Sequence, residues 1–232
     1  MSWVAIVPVK GNPGAKSRLG DRPDRAGLAD AFALDTVAAL LSARGVDRVL
    51  VVTGDGVLGG RLAELGADIV RETPGRSSTG RASTVHSSTA PTDPRTDRPT
   101  DPLNSAIRQG LTVARAAFPR ANLAVLTGDL PALTAADVER TLHLAAAQER
   151  SLVPDAAGTG TTTLLALAGI PIEPRFGVGS RAAHEAAGHV VLALEASVSI
   201  RYDVDTTADL AVAQRLGLGV HTRLLVDAPG AR

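Results

Sequence analysis

Short apolar runs alternate with amphipathic segments along most of this 232-residue chain. Residues 3–9, 49–52 and 123–127 are continuous apolar runs of strand length, a pattern typical of strands buried on both faces. Apolar residues recur at helical spacing in two segments between these runs: Leu28, Ala31, Leu34, Ala38 and Leu41, and Ile107, Leu111, Ala114 and Phe118. This alternation predicts an α/β fold, Rossmann-like, with a mixed, mostly parallel sheet and helices on both faces.

Shorter segments extend the pattern to one domain over residues 1–217, followed by a tail over 218–232. Residues 67–70 and 164–167 are candidate strands, and 197–201 is strand-like. Thr134 and Asp137 form a capping-box-like start for a helix that reaches residue 147.

One stretch interrupts the alternation. Residues 74–100 are rich in Ser, Thr, Pro, Arg and Asp and hold almost no large apolar side chain. Such a segment buries too little apolar surface to offset its ordering entropy, so we predict a disordered surface insertion. A regulatory or partner-binding loop is the alternative.

Composition narrows the classes of function. The formal net charge is zero, which gives no overall field toward nucleic acid or an anionic membrane. Cysteine is absent, which excludes disulfides and thiolate metal sites, and no apolar run approaches membrane length. These features predict a cytoplasmic protein with neither a nucleic acid nor a membrane as partner.

Positive charge is distributed unevenly by residue type. The two lysines, Lys10 and Lys16, lie in one Gly- and Pro-containing segment directly after the first apolar run, and every other cation is arginine. A lysine ammonium is a compact point charge that suits a phosphate oxygen at close range. With Arg18, the segment predicts a polyphosphate-binding loop; two solvated surface lysines are the alternative.

Three aspartates follow strand-like segments. Asp129 comes after residues 123–127, and Asp203 and Asp205 come after 197–201. Ligands in open α/β sheets bind beyond the carboxyl ends of the strands, so convergence there would give three hard oxygen donors for Mg²⁺ bound to nucleotide phosphates. The alternative is that Asp129 and Asp205 cap the helices that follow them.

Two loops carry small and hydroxyl residues suited to a second anion. In 158–163 and 175–181, glycines would let backbone amides approach a phosphate, the second of them at a helix N-terminus. Tight turns and helix caps use the same residues. Asn104 opens a helix after the insertion, where it either contacts a base edge or caps the helix.

Several familiar catalytic motifs are missing from the sequence. The spacing of Gly11, Gly14, Lys16 and Ser17 does not match a P-loop, and the five histidines are scattered. A reaction with an anionic nucleophile needs no general base. Attack of a phosphate oxygen on the α-phosphorus of a nucleoside triphosphate is such a reaction, and positioning and charge neutralisation can catalyse it.

An ordered set of motifs spans about residues 4–217, apart from the insertion. It comprises P-V-K-G-N-P-G-A-K-S-R-L, D-P-L-N-S-A-I, T-G-D-L-P-A-L, G-T-G-T, P-R-F-G-V-G-S and D-V-D-T-T-A-D-L. The set resembles the guanylyltransferases of coenzyme F420 biosynthesis, which act on phosphoenolpyruvate in bacteria and on 2-phospho-L-lactate in archaea. The insertion and Thr207, where relatives often have Pro, depart from the family pattern.

The resemblance implies the nucleotidyltransferase fold of nucleotide-diphospho-sugar transferases and molybdenum-cofactor guanylyltransferases. It implies Mg²⁺-dependent transfer of GMP from GTP to phosphoenolpyruvate, giving enolpyruvoyl-2-diphospho-5'-guanosine and pyrophosphate, with the product passed to the F420 transferase enzyme. The resemblance assigns metal binding to Asp129, Asp203 and Asp205, and phosphoenolpyruvate binding to Thr161, Gly177 and Ser180. From the residues themselves we expect nucleotide binding by Lys10, Lys16, Arg18 and Asn104. We expect catalysis by Lys16, Asp129 and Asp205.

Other activities stay open at this point. They are a 2-phospho-L-lactate, molybdopterin or sugar-1-phosphate nucleotidyltransferase, or a noncatalytic nucleotide-sensing module. The sequence also leaves a homodimer open.

Overall fold

A computed structural model describes residues 2–9, 25–73 and 101–227 of the chain. The strands are β1 (Trp3–Pro8), β2 (Val46–Thr53), β3 (Asp68–Arg71), β4 (Asn122–Leu126), β5 (Arg150–Pro154), β6 (Thr161–Ala166) and β7 (Val190–Val191). The α-helices are α1 (Arg25–Ser42), α2 (Gly56–Leu65), α3 (Pro102–Ala117), α4 (Ala135–Ala145), α5 (Ser180–Ala186), α6 (Thr207–Leu216) and α7 (Val220–Val226). The predicted lysine loop and insertion lie outside the described residues.

The seven strands form one sheet in the order β3-β2-β1-β4-β6-β5-β7. β6 pairs antiparallel with both β4 and β5, and the other pairings are parallel. The predicted mixed, mostly parallel sheet is therefore confirmed. Since β6 is reversed, its first residue lies at the sheet edge where the parallel strands end, with Thr163 opposite Leu126.

Helices cover both faces of the sheet, as predicted. Alternate residues of β1 enter different cores: Ala5 and Val7 pack with α1, while Val4 and Ile6 pack with α3. This two-sided burial explains why β1 is continuously apolar. Gly110 lets α3 approach the sheet closely, because a Cβ there would lie 2.6 Å from Ile6 Cγ2.

Part of the predicted C-terminal tail forms α7, which packs against α1. The buried Asp35 carboxylate accepts hydrogen bonds from the backbone N–H groups of His221 (2.9 Å) and Thr222 (2.8 Å). Gly219 N–H also donates to Pro131 O at 2.8 Å. Residues 219–226 are thus fixed to the body of the domain.

Two local expectations are wrong. Residues 197–201 are not a strand: Ser199–Arg201 is a 3-10 helix, because Asp137 accepts from both the backbone N–H (2.8 Å) and the hydroxyl (2.5 Å) of Ser199. The strand expected at 164–167 starts instead at Thr161, since the buried Thr162 hydroxyl donates to Ile200 O at 2.7 Å. Among the described residues, no helix is both long and apolar enough to cross a bilayer.

Candidate functional site at the carboxyl edge of the sheet

The carboxyl edge brings the segment after β4 against the segment before α6. Val204 N–H donates to the carbonyl oxygen of Asp129 at 3.0 Å, which places Asp129 beside Asp203 and Asp205. The next amide, that of Leu130, donates to the buried Thr36 hydroxyl at 3.0 Å. The expected convergence of these two aspartate-bearing segments is therefore present, and α1 helps to position it.

Asp203 lies in a crowded, electronegative environment. Burial, as the largest cause, and the negative charges of Asp129, Asp205 and Asp155 together raise the pKa of its carboxyl from 3.8 to about 7. Like charges at close range oppose ionisation of one another. We refer to Asp129, Asp203 and Asp205 as the carboxylate cluster.

The helix-capping alternative for two of these residues is wrong. Thr134 is the N-cap of α4, and Thr206 is the N-cap of α6 in a complete capping box with Asp209. Thr207 occupies the first position of α6, where a proline would also be accommodated. Asp129 and Asp205 consequently serve neither helix as its N-cap.

The carboxylate cluster suits a hard divalent cation in its donor chemistry. Its members are oxygen donors, and the pKa of Asp203 is raised by burial first and then by repulsion from its neighbours, a repulsion that a cation would relieve. Within the described ranges, however, no group of three or more His, Asp or Glu side chains is arranged so that it could hold a metal ion. The cluster therefore supplies oxygen ligands and negative charge, but its side chains do not form a coordination shell.

The turn before β6 does not offer its amides to a ligand. The Asp155 carboxylate accepts from the N–H groups of Thr159 and Gly160, both at 2.9 Å, and Asp155 O accepts from Gly158 N–H at 3.1 Å. The expectation that these amides bind a substrate anion is wrong, because the chain supplies its own carboxylate. Thr161 lies in β6 instead, where its hydroxyl is 3.0 Å from His184 Nδ1.

The loop 175–180 is likewise held by internal hydrogen bonds. Gly177 and Gly179 have φ of 134° and 70°, values that favour glycine. The Ser180 and Arg181 amides donate to the carbonyl oxygens of Gly177 (3.0 Å) and Thr159 (3.2 Å), so the predicted helix N-terminal anion site is wrong for these two groups. What the loop offers is the Ser180 side chain and open space beside Gly177.

Asn104 joins α3 to this loop. Its side-chain oxygen accepts from Phe176 N–H at 2.9 Å, and its side-chain nitrogen donates to Phe176 O at 2.9 Å. Asp101 is the N-cap of α3, so the capping alternative for Asn104 is wrong. A contact between Asn104 and a nucleotide stays a prediction.

His184 is a site residue that the sequence analysis missed. It is fully buried on α5, and its Nε2 accepts from Arg175 N–H at 2.9 Å. Burial, His189 and Arg175 lower the pKa of His184 to about 4, so the ring is neutral near pH 7. The available signal was its position four residues after Ser180, which places both on one helix face.

Lys10, Lys16 and Arg18 lie outside the described residues. The chain enters their segment from Val9, whose N–H donates to Val52 O at 2.8 Å. A Cβ on Gly128 would lie 3.1 Å from Val9 Cγ2 and 3.2 Å from Pro8 O. Val9, the last described residue before the lysine segment, therefore lies directly beside Gly128, and the phosphate-binding role of the segment stays a prediction.

Solved structures with this architecture define the class of fold. A putative nucleotide-diphospho-sugar transferase from Desulfovibrio desulfuricans superposes with a TM-score of 0.62 at 18% identity, covering 96% of this chain and 91% of that one. A 4-diphosphocytidyl-2C-methyl-D-erythritol synthase superposes with a TM-score of 0.56 at 12% identity, covering 93% and 97%. The chain thus has the nucleotidyltransferase fold that the resemblance implied.

Sequence relatives give the family. No protein-family model matches the chain. The phosphoenolpyruvate guanylyltransferase of Streptomyces coelicolor is 44% identical over 225 residues, covering 96% of this chain and 94% of that protein. The enzyme of the same name from Thermomonospora curvata is 39% identical over 238 residues, covering 100% and 93%. The chain belongs to the phosphoenolpyruvate guanylyltransferase family and is a nucleotidyltransferase, which confirms the resemblance.

Proposed function

We propose that this protein transfers GMP from GTP to the phosphate of phosphoenolpyruvate and releases pyrophosphate. Family membership over almost the whole chain supports this substrate pair. The structural observation that carries the proposal is the carboxylate cluster at the carboxyl edge of the sheet, in a segment whose Gly128 lies beside Pro8 and Val9 at the end of β1.

The reaction needs no general base. A phosphate oxygen of phosphoenolpyruvate attacks the α-phosphorus of GTP, the new P–O bond forms, and the bond to the β-phosphate bridging oxygen breaks as pyrophosphate leaves. The nucleophile is already anionic at neutral pH. The neutral, doubly hydrogen-bonded state of His184 agrees with this, because a ring engaged at both nitrogens is poorly placed to remove a proton.

The negative charge of the triphosphate and of the leaving pyrophosphate would be neutralised by bound Mg²⁺ and by cationic side chains. Asp129, Asp203 and Asp205 would hold Mg²⁺, which supplies neutralisation of the polyphosphate charge when bound. Lys10, Lys16 and Arg18 would bind the triphosphate, with Lys16 stabilising the leaving pyrophosphate. Asn104 would act at the nucleotide, in addition to its contact with Phe176.

The acceptor would lie between β6 and the loop 175–180. Thr161 and Ser180 supply hydroxyl groups, and the space beside Gly177 admits a ligand to the backbone. Arg181 connects the two sides, since its amide donates to Thr159 O and its guanidinium donates to Gly158 O at 3.1 Å. This connection fixes the two hydroxyl-bearing segments relative to one another.

The reaction that consumes the product can be inferred from the chemistry of the product. Enolpyruvoyl-2-diphospho-5'-guanosine is an activated diphosphate, so the next step is a transfer that displaces GMP. We propose that the F420 transferase enzyme carries out that step. A cytoplasmic location and a homodimer of this chain stay predictions.

An activity panel tests the proposal. The protein is incubated with Mg²⁺, one nucleoside triphosphate and one acid from phosphoenolpyruvate, 2-phospho-L-lactate and a sugar 1-phosphate, and pyrophosphate and product mass are measured. We expect pyrophosphate with GTP and phosphoenolpyruvate. A higher rate with another acid would change the acceptor, and no pyrophosphate with any pair would favour the noncatalytic sensing module.

A further inference from the structure

His184 connects the two segments proposed to bind the acceptor. It lies on α5, touches Thr161 at the start of β6 through Nδ1 (3.0 Å), and touches Arg175 at the start of the loop 175–180 through Nε2 (2.9 Å). The Phe176 ring meets it edge-on, with ring centroids 5.2 Å apart. A single buried side chain thus contacts both sides of that site.

The hydrogen-bond directions around His184 follow from its partners. A backbone N–H only donates, so Nε2 must carry the lone pair that accepts from Arg175. In a neutral imidazole the other nitrogen then carries the proton, and Nδ1–H donates to the Thr161 oxygen. The ring is neutral in this buried position, which permits the assignment.

The donor and acceptor roles at His184 determine the role of the Thr161 hydroxyl. Its oxygen is engaged as an acceptor by His184, so its own O–H is turned away from the ring and serves as a donor. A threonine hydroxyl that were instead donating to histidine would present lone pairs, which repel an anion. The tautomer of His184 therefore decides whether Thr161 attracts or repels a phosphate or carboxylate.

We propose that His184 is a positioning residue that fixes the Thr161 hydroxyl as a hydrogen-bond donor to the anionic acceptor. The inference rests on the proposed function, because it takes Thr161 as part of the acceptor site. His184 does not touch the acceptor and takes no proton during the reaction. The Arg175 N–H holds His184 in the tautomer that is protonated at Nδ1. The Nδ1–H then donates to the Thr161 oxygen and leaves the Thr161 O–H free to donate to the acceptor.

Two conservative substitutions separate the two contacts. His184→Asn keeps a donor near the position of Nδ1 and loses the reach to Arg175, whereas His184→Gln keeps an acceptor near the position of Nε2 and loses the donor to Thr161. We expect KM for phosphoenolpyruvate to rise about tenfold in His184→Gln and less in His184→Asn, the loss typical of one hydrogen bond to a charged group. KM for GTP should stay within about twofold in both. The reverse order of the two variants would overturn the proposal.

A double-mutant cycle tests whether His184 acts through Thr161. Once Thr161→Val has removed the hydroxyl, adding His184→Gln should raise KM for phosphoenolpyruvate no further. Full additivity of the two effects would overturn the proposal. The matched control is His189→Gln, a second buried histidine whose described hydrogen bond is to His184 O; its KM for phosphoenolpyruvate should be unchanged. An equal rise in this control would assign the effect to packing.

The wild-type rate with GTP and phosphoenolpyruvate is measured first. Its absence would overturn the proposed function, and with it the acceptor on which His184 is proposed to act. A normal wild-type rate with an unchanged KM for phosphoenolpyruvate in His184→Gln would overturn only the positioning role. Thermal unfolding of each variant shows whether the protein is folded under assay conditions.

Discussion

At the scale of single residues, the site depends on a carboxyl group, that of Asp203, whose surroundings oppose its ionisation. Asp203 is half-buried close to Asp129, Asp205 and Asp155, and this burial together with the neighbouring negative charges raises its pKa to about 7. A folded protein gains little from crowding negative charge in this way, so the arrangement costs stability when the group ionises. The cost is offset when a cation or a substrate complex neutralises the charge.

Asp203 should make stability fall with rising pH. Its pKa is 3.8 when unperturbed and about 7 in the folded protein, so between these values only the folded state holds the proton. Its contribution to the free energy of unfolding then falls by up to about 1.4 kcal/mol per pH unit from about pH 4 to pH 7. Urea unfolding of wild type and Asp203→Asn at pH 4 and pH 8 measures this. The variant should be the more stable protein at pH 8 and gain little at pH 4; an equal difference at both pH values would contradict the assignment.

The other two cluster members should govern turnover. Asp129→Asn and Asp205→Asn should each reduce kcat for pyrophosphate release by at least about a hundredfold, the scale seen when a preorganised charge stabiliser is lost. The fold should persist, since neither residue is a helix N-cap. Asp68→Asn is the control, because Asp68 is an exposed carboxylate in β3. Near-normal kcat in both cluster variants would remove the metal assignment.

At the scale of elements, the sequence predicted three of the strands that are buried on both faces and missed a fourth, β5. β1, residues 49–52 of β2 and residues 123–126 of β4 are continuous apolar runs because helices pack on each side of them. The 3-10 helix at Ser199–Arg201 escaped prediction, since its sequence alternates like a strand and only the distant Asp137 side chain explains its shape. The start of β6 was missed because three threonines resemble a loop until the buried partner of Thr162 is known.

In the site, too, residues marked by a local sequence pattern were predictable, and residues whose role depends on distant contacts were not. The aspartates were predictable because strand ends are a general location for ligands in α/β sheets. The role of His184 was not, since it depends on the Arg175 amide and the Thr161 hydroxyl, which no local pattern brings together. The Asp155 contacts that occupy the Thr159 and Gly160 amides were invisible for the same reason.

The contact between α3 and the sheet should tolerate no side chain at Gly110. A Cβ there would lie 2.6 Å from Ile6 Cγ2 and 2.8 Å from Val52 Cγ2, so Gly110→Ala should lower the free energy of unfolding by about 1–3 kcal/mol despite the better helix propensity of alanine. The control is Gly60→Ala in α2, where nothing lies within 4 Å of the added Cβ. That change should raise stability by up to about 1 kcal/mol. Chemical denaturation measures both, and a stabilising Gly110→Ala would contradict the packing.

At the scale of the whole molecule, the two ends of the predicted insertion are anchored without it. The Gln109 side chain accepts from Thr73 N–H at 3.0 Å and donates to Arg71 O at 2.8 Å, and Asp101 caps the first turn of α3. The chain on either side is thus fixed to the same helix. Loop-closure entropy changes slowly with length, so the segment between adds little to stability.

Removal of the insertion should therefore be tolerated. Replacing residues 76–98 by a short Gly/Ser linker should shift Tm by no more than a few degrees and leave kcat and both KM values nearly unchanged. Thermal unfolding and steady-state kinetics measure these quantities. A large rise in KM for GTP alone would show that the segment contributes to nucleotide binding.

The reversal of β6 has a consequence for how the family can diversify. Because this strand starts at the carboxyl edge, Thr161, the loop 175–180 and His184 follow one another along a single stretch, while the carboxylate cluster comes from positions before and after it. The stretch is joined to β4 through backbone pairing, which is indifferent to side-chain identity. A chimera could take residues 156–184 from a relative that uses another acceptor. It would keep the proposed nucleotide- and metal-binding residues of this chain, so the choice of acceptor could change by exchange of this one segment.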